Sequence, residues 1–505
     1  MVSILSLFKS EPRVIYKRSP PKIVEKIVYQ KSFNAAKIDR LNEDFRVAMA
    51  RINEDIKNSL TNLRGRSRTS AENNDYYKRY LALYVSYVIG PQGFTLVGRA
   101  KNANDSVDKK GNNLVERAWK EYGKKKYFSY NKKETFYSLQ HRCCYQFARD
   151  GEVLIRIHRG VKNKYGIAFS VIDADFLDET YNVKANEYGQ GNKICQGIEI
   201  DSREQVVGYW LTVGNNTTDL FGNIIKGGEK EFVKADEIIH WYNKVEVNQY
   251  RGFPPGQNLL LSLHGLSELN ESEMVSYRAG SCKMGFKQQK FPSEETAGFN
   301  PSAGNGSNID EIQAGLIETL GPNEEFIGYN PDHKSGNWET FSRGILRSAA
   351  SGCGFPYPLL SNDYSGLSQD AVTLMINDAR EYAISQQNIC VDDFIDEIYN
   401  VAYPYIFFKV PLPYSRIDKF EDHEFRGRAF KALRPLDDMQ SMEIAVNNGL
   451  GSRTKYNRDL NLDIEDTFSE LENEEIMAKD AKFPLRNQGG TTEHNINSGA
   501  TNEKV

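Results

Sequence analysis

The chain has 505 residues, too long for one small domain, so it divides into more than one structural region. With 26% charged and 39% hydrophobic residues it reads as a largely folded, water-compatible chain, and no apolar run approaches the ~20 residues that span a membrane. Its net charge of −4 excludes a general nucleic-acid binder, whose affinity comes from an excess of Lys and Arg.

The first 32 residues are expected to form a flexible basic arm: Lys9, Arg13, Lys17, Arg18, Lys22, Lys26 and Lys31 sit among prolines with little periodicity. Such an arm is either a solvated tail or a contact to DNA or an acidic partner. Met1 to Phe8 is apolar but too short for a secretory leader, and its basic residues follow it, so an intracellular protein is expected. A helical segment ending at Leu63 leads into Arg64-Gly65-Arg66-Ser67-Arg68, then Asn73-Asn74 and a helix over Tyr77–Ile89. The arginines either pair with carboxylates of the same chain or meet a neighbouring one. The cysteines show neither a CxxC pair nor zinc spacing, which predicts reduced thiols.

From Asn112 the pattern mixes helix and strand. Helices are predicted over Leu114–Tyr122 and Phe136–Ala148, and the turn Arg149-Asp150-Gly151 opens the alternating strand Glu152–His158. Further strands are expected at 168–172, 196–200, 206–213 and 237–241, the last holding His240, expected to be a hydrogen-bonded core or interface residue. Asp173, Asp175 and Asp178 lack the glycine and terminal glutamate of a calcium loop, so no metal is assigned. After Gln249-Tyr250-Arg251-Gly252-Phe253-Pro254, a helix is predicted over 257–283. Its Glu268, Glu271 and Glu273 form an acidic stripe, either a solvated face or the wall of a channel.

Residues 284–336 are rich in Gly, Pro, Asn and Ser and read as a loop-dominated excursion with short strands near Ile317 and Phe326–Tyr329. A helix from Trp338 carries Arg343 and Arg347. The turn-forming run Gly352-Cys353-Gly354-Phe355-Pro356-Tyr357-Pro358 then leads to a long helix over 368–403. Its apolar positions recur at three-to-four spacing from Val372 to Val401, interrupted at Gln386 and Gln387 and stopped by Pro404; fully helical, it spans roughly 50 Å. Helices follow over 439–447, closed by Asn448-Gly449, and 463–479; residues 481–505 are expected to be disordered. No phosphate-binding GxxxxGK[ST], GxSxG elbow or HExxH occurs, so no catalytic residue, metal or cofactor is assigned.

The run Ala349-Ala350-Ser351-Gly352-Cys353-Gly354-Phe355-Pro356-Tyr357, followed by Leu360-Ser361-Asn362-Asp363-Tyr364-Ser365, resembles the signature of the lambda-type portal proteins of tailed phages. The double Asn after an Arg-rich pair, the Gln-x-Arg-Gly-x-Pro segment at 249–254 and the Gly-Leu after Asn448 also resemble that family. Residues 435–438 depart from it, as do Gly321 and Pro322, which stand in reversed order. The resemblance covers residues 33–480. It implies an α+β portal fold, ring-forming, with an α/β wing (33–248), long stem helices (249–283 and 337–355), a loop-rich clip (284–336), a tunnel loop (356–367), the long helix (368–403), and a wing return with helical C-terminal crown (404–480).

The implied function is a portal ring at one capsid vertex, through which double-stranded DNA is packaged and ejected. Tunnel-loop residues Pro356, Tyr357, Pro358, Asn362, Asp363, Tyr364 and Ser365 would face the DNA channel, touching DNA weakly and independently of sequence, or else pack on a neighbouring subunit. Glu268, Glu271, Arg343 and Arg347 would lie on the stem; Arg64, Arg66, Arg68, Asn73, Asn74 and Arg251 are candidate subunit contacts. The implied partners are a homo-oligomer (a dodecamer in the family), the large terminase subunit, major capsid and scaffold proteins, and a head-tail adaptor, with no membrane. The implied location is the virion, after assembly in the host cytoplasm. The alternatives are a phage-derived nucleic-acid-processing enzyme and another structural head or neck protein.

Overall fold

The structure, a computed structural model, describes residues 52–184, 191–212, 229–281, 284–289, 324–329, 338–460, 462 and 464–480. The basic arm, most of the excursion at 284–336 with its strand near Ile317 and its Gly321-Pro322 turn, Cys282 and the tail at 481–505 lie outside the described residues.

A buried stripe of Leu60, Arg64, Ser67 and Ala71, spaced four, three and four, carries helix α1 (Ile52–Asn73) straight through Gly65. The expected stop at Leu63 is corrected: helical burial continues, with an arginine where an apolar residue would ordinarily sit. Helix α2 (Asp75–Val88) begins after Asn74, whose Oδ1 accepts from the Tyr77 amide at 3.0 Å. Tyr77, Tyr80, Leu81, Tyr84 and Val88 are its buried face. Strand β1 (Thr95–Gly98), helix α3 (Lys109–Tyr122), the short α4 (Lys125–Phe128) and α5 (Phe136–Asp150) follow. A Thr135–Ser138 capping box starts α5, and Gly151 at φ 86° ends it.

Two antiparallel sheets come next. Strand β2 (Glu152–Arg159) is central in the first, between β3 (Ile167–Ile172) and a strand from later in the chain. The second holds β4 (Lys193–Cys195), β5 (Ile198–Ile200), β6 (Val206–Thr212) and β7 (Lys230–Lys234) in that order. Strand β8 (Ile238–Tyr242) completes the first sheet, with Val153 opposite Trp241 and Leu154 opposite His240. Leu154, Leu177, Ile198, Ile200, Tyr209, Leu211, Val233 and Ile238 form a small core of their own. Strands β4 and β7 are absent from the sequence expectation, because three residues are too few for a period and Lys230-Glu231-Phe232-Val233-Lys234 is bracketed by charge.

Helix α6 (Gln257–Ser281) leads to the β9 (Met284–Gln289) and β10 (Glu324–Tyr329) pair, in which Met284 stands opposite Tyr329. Helices α7 (Trp338–Ser351), α8 (Tyr357–Ser361) and α9 (Gln369–Cys390) follow. A π turn at Val391–Ile395 passes into α10 (Asp396–Phe407). One expectation for this long helix is corrected. Gln386 and Gln387, where the apolar spacing lapses, pack through hydrogen bonds instead: Tyr84 Oη donates to Gln386 Oε1 at 2.9 Å and Gln387 Nε2 donates to the Tyr87 carbonyl at 3.0 Å. Pro404, however, does not stop the helix, because Pro404 and Asn400 both lie on the exposed face, where a carbonyl left without an amide partner is not buried.

At the π turn, Phe394 stacks on Trp241 at 4.9 Å between ring centroids, and Trp241 stacks on Phe147 at 4.2 Å. Each such pair contributes about 0.5–1.5 kcal/mol beyond its buried area, so this sandwich fastens the long helix to the first sheet and to α5. Strand β11 (His423–Arg426) returns to pair with β1, Thr95 opposite Arg426. Helices α11 (Pro435–Asn447), α12 (Arg453–Asp459) and α13 (Ile464–Asp480) end the described chain; Ser452 caps α12 and Gly449 takes φ 70° after α11.

Candidate functional site

Helix α7 ends in small residues, and Gly354 at φ 77° reverses the chain. A Cβ there would stand 2.6 Å from Cε1 of the Tyr382 ring, so glycine is required both by the backbone and by the space. The reversal drives Phe355 into the core, edge-on to Tyr87 (5.4 Å), Tyr382 (5.7 Å) and Tyr80 (6.3 Å). Pro356 and Pro358, read as part of a turn-forming run, instead start a helical turn: a proline suits the first turn of a helix, and α8 runs over Tyr357–Ser361 with Pro358, Leu359 and Leu360 buried. Asn362 at φ 56° terminates it in the left-handed region. The expected tunnel loop therefore has an inner half, 356–361, largely buried, and an exposed tip formed by Asn362, Tyr364, Ser365 and Gly366.

Three arginines brace the loop, two of them at its tip. Arg343 Nε lies 3.1 Å from Asp363 Oδ2, and its Nη2 reaches Ser365 Oγ at 2.8 Å and Glu339 Oε1 at 2.9 Å. Arg347 lies over the Tyr357 ring, 5.5 Å from its centroid. Arg79 of α2 donates to the Leu359 carbonyl at 3.2 Å and to Asn362 Oδ1 at 3.1 Å. Asp363 also accepts from Tyr357 Oη at 2.5 Å, from the Ser365 amide at 3.0 Å and from Ser365 Oγ. These hydrogen bonds, from Ser365 and Tyr357 first and with Arg343 beside them, hold its carboxyl well below the usual range. The structure thus brings together Arg343, Arg347 and the tunnel-loop residues, which sequence reasoning assigned to separate elements. Arg79 was missed, and nothing in its local pattern marks it.

Glu268 and Glu271 are exposed on α6, with Glu268 3.2 Å from His264 Nε2. The arginine candidates lie elsewhere, around a buried carboxylate. Glu152, the first residue of β2, receives Arg251 Nη2 and Arg64 Nη2 each at 2.5 Å, the Gly252 amide at 2.9 Å and His240 Nε2 at 3.4 Å. Burial alone would raise its pKa, but the two guanidinium groups overcome this and hold it well below the ordinary carboxylate value. Burial lowers that of His240, which keeps the imidazole neutral beside them. Arg68 pairs with Asp150, Asp173 and Asp175, and Lys230 with Asp178, so these acids serve ion pairs. Arg64 and Arg251 have no surface left for a neighbouring subunit; Asn74 caps α2 and bonds Ser267 Oγ at 3.1 Å; Arg66 and Asn73 stand exposed.

Among the described residues no group of His, Cys, Asp and Glu is placed to hold a metal ion, and no helix is long and apolar enough to cross a membrane. What the site offers is a braced, exposed tip with one paired carboxylate.

Residues 39–387 match the family described as phage portal protein, lambda family. The chain belongs to that family, and it is a portal protein. It is 26% identical over 415 residues to a "Probable portal protein" of Halomonas phage phiHAP-1, covering 81% of this chain and 79% of that one. Among solved structures it is similar to a chain of "Virion of native gene transfer agent (GTA) particle", at 13% identity and TM-score 0.43 over 82% of this chain and 95% of that one. It is also similar to a chain of "Neck of empty GTA particle computed with C6 symmetry", at 12% identity and TM-score 0.46 over 79% and 93%.

Proposed function

We propose that copies of this chain close into a ring, a dodecamer by the family resemblance, that sits at one capsid vertex and passes double-stranded DNA in packaging and ejection. The observation that carries the reading is the surface of α6. Leu259, Leu260, Leu263 and Leu266 are buried on one side, yet Leu261 (78%), Met274 (55%), Val275 (56%) and Tyr277 (56%) are exposed on a helix of 25 residues. In a ring the next copy covers these apolar side chains, with Arg66 and Asn73 as further contacts.

In this reading α6 and α7 are the stem, the β9–β10 pair belongs to the clip, the sheets with α1–α5 form the wing and α11–α13 the crown. The tip at 362–366 faces the channel, where Asn362, Tyr364, Ser365 and backbone amides make weak, sequence-independent contacts. Terminase docks during packaging and the head-tail adaptor afterwards; the ring itself catalyses nothing.

Deleting residues 362–366 tests the channel role. Rings are expected to assemble while DNA packaging or retention in heads falls. Rings that package to full length with normal retention remove the tip from the channel, and rings that fail to assemble make it a structural element.

A further inference from the structure

On the wing, the turn between β2 and β3 packs beside the C-terminal end of α10 and leaves a groove of about 460 Å³. Its walls are Tyr165 and Lys164 on one side, and Tyr405, Phe408, Lys409 and Tyr414 on the other. Phe408 is 69% exposed and Tyr414 58%, although both are aromatic and lie edge-on to each other, 6.3 Å apart. Outside a ligand contact, two such rings would gain by burial. No carboxylate lines the groove among the described residues. Its rim is cationic: Lys409 lies over the Phe408 ring and Lys164 over the Tyr165 ring. Lys409 has no carboxylate within ion-pair distance among the described residues, while Lys164 shares Glu121 at 2.9 Å. Behind the groove, Lys126 lies over Tyr127, which packs edge-on to Tyr165 at 5.4 Å. This local excess of positive charge stands out on a chain of net charge −4.

We infer that this wing groove docks an acidic peptide segment of a partner protein, anchored by one aromatic or aliphatic side chain between Phe408 and Tyr414. An exposed aromatic pair with a lysine rim has the make-up of a small interface anchor, with apolar burial supplying affinity and charge supplying encounter and register. DNA fits less well. A duplex offers no apolar side chain to fill the groove, and duplex binding draws on roughly 6–10 phosphate contacts where this rim holds two lysines. The inference concerns the outer surface of a single chain and does not depend on the channel reading.

The test is fluorescence anisotropy with the full-length protein and a labelled dodecapeptide rich in Asp and Glu with one central Trp. Saturable binding is expected, weakened about tenfold by Phe408→Ala and by replacing the peptide Trp with Ser. Lys409→Glu is expected to weaken binding and flatten its salt dependence. Both side chains are exposed, and unchanged thermal melting confirms that the variants fold. Failure of the peptide to bind, or equal binding by the variants, overturns the inference. So does a labelled DNA duplex that binds wild type and is lost in the same variants, or a change of oligomeric state in Phe408→Ala, which assigns the groove to a second copy.

Discussion

Arg343 and Asp363 meet at 3.1 Å across the turn that joins α7 to α9, so that the helix before the loop holds the tip of the loop after it. The same guanidinium bonds Ser365, and the same carboxylate bonds Tyr357, so the brace is a small network. It gives the exposed tip a defined resting shape without burying it.

Asp363→Asn is therefore expected to loosen the tip alone. Hydrogen exchange by mass spectrometry is expected to show faster amide exchange over residues 357–366 and an unchanged melting temperature, because exposed ion pairs contribute little to global stability. The depressed carboxyl pKa sets the pH sense: bracing is complete above the ordinary carboxylate range and is lost only as pH falls through the folded value. Unchanged exchange in the variant would show that the inner half of the loop shapes the tip unaided.

Glu152→Gln is expected to behave in the opposite way. It leaves Arg251 buried without its counter-charge and Arg64 with only the longer pair to Asp175 at 3.6 Å, which costs about 3–5 kcal/mol. Denaturant titration is expected to show that loss at pH 7. The wild type is expected to lose the same contribution on acidification, since a depressed folded pKa means stability present above the unfolded value and lost below it. A change under 1 kcal/mol would mean that the arginines find other partners.

Gly354→Ala and Gly366→Ala separate strain from crowding. Both glycines have positive φ, 77° and 73°, so each substitution strains the backbone by about 1–3 kcal/mol. Only at Gly354 does the added carbon meet a neighbour, the Tyr382 ring; Gly366 has open space. The expected order of denaturation midpoints is wild type, then Gly366→Ala, then Gly354→Ala clearly lowest. Equal effects would mean that Tyr382 moves aside at no cost.

What was legible in the sequence, and what was not, follows from range. The long helix shows itself in its apolar spacing, the loop in its glycines and prolines, and the strand at Glu152 in an alternation that only Leu154 breaks, all of them local patterns. The glutamines within the helix look like a break because their partners, Tyr84 and the Tyr87 carbonyl, lie about 300 residues away. The same distance hides Arg79, whose target is the Leu359 carbonyl, and the β1–β11 pairing. Arg64 misleads because a charged residue on a buried stripe is intelligible only once Glu152 is seen opposite it. Within the loop, Pro-Tyr-Pro carries both turn and helix-start chemistry, and burial of Leu359 and Leu360 decides for the helix.

Imaging of the purified full-length protein by electron microscopy at micromolar concentration tests the central claim most directly. In the proposed reading the exposed apolar residues of α6 pack on the next copy, and closed rings with a central hole are the predicted result. A monodisperse monomer, with no rings in the images, would contradict the account.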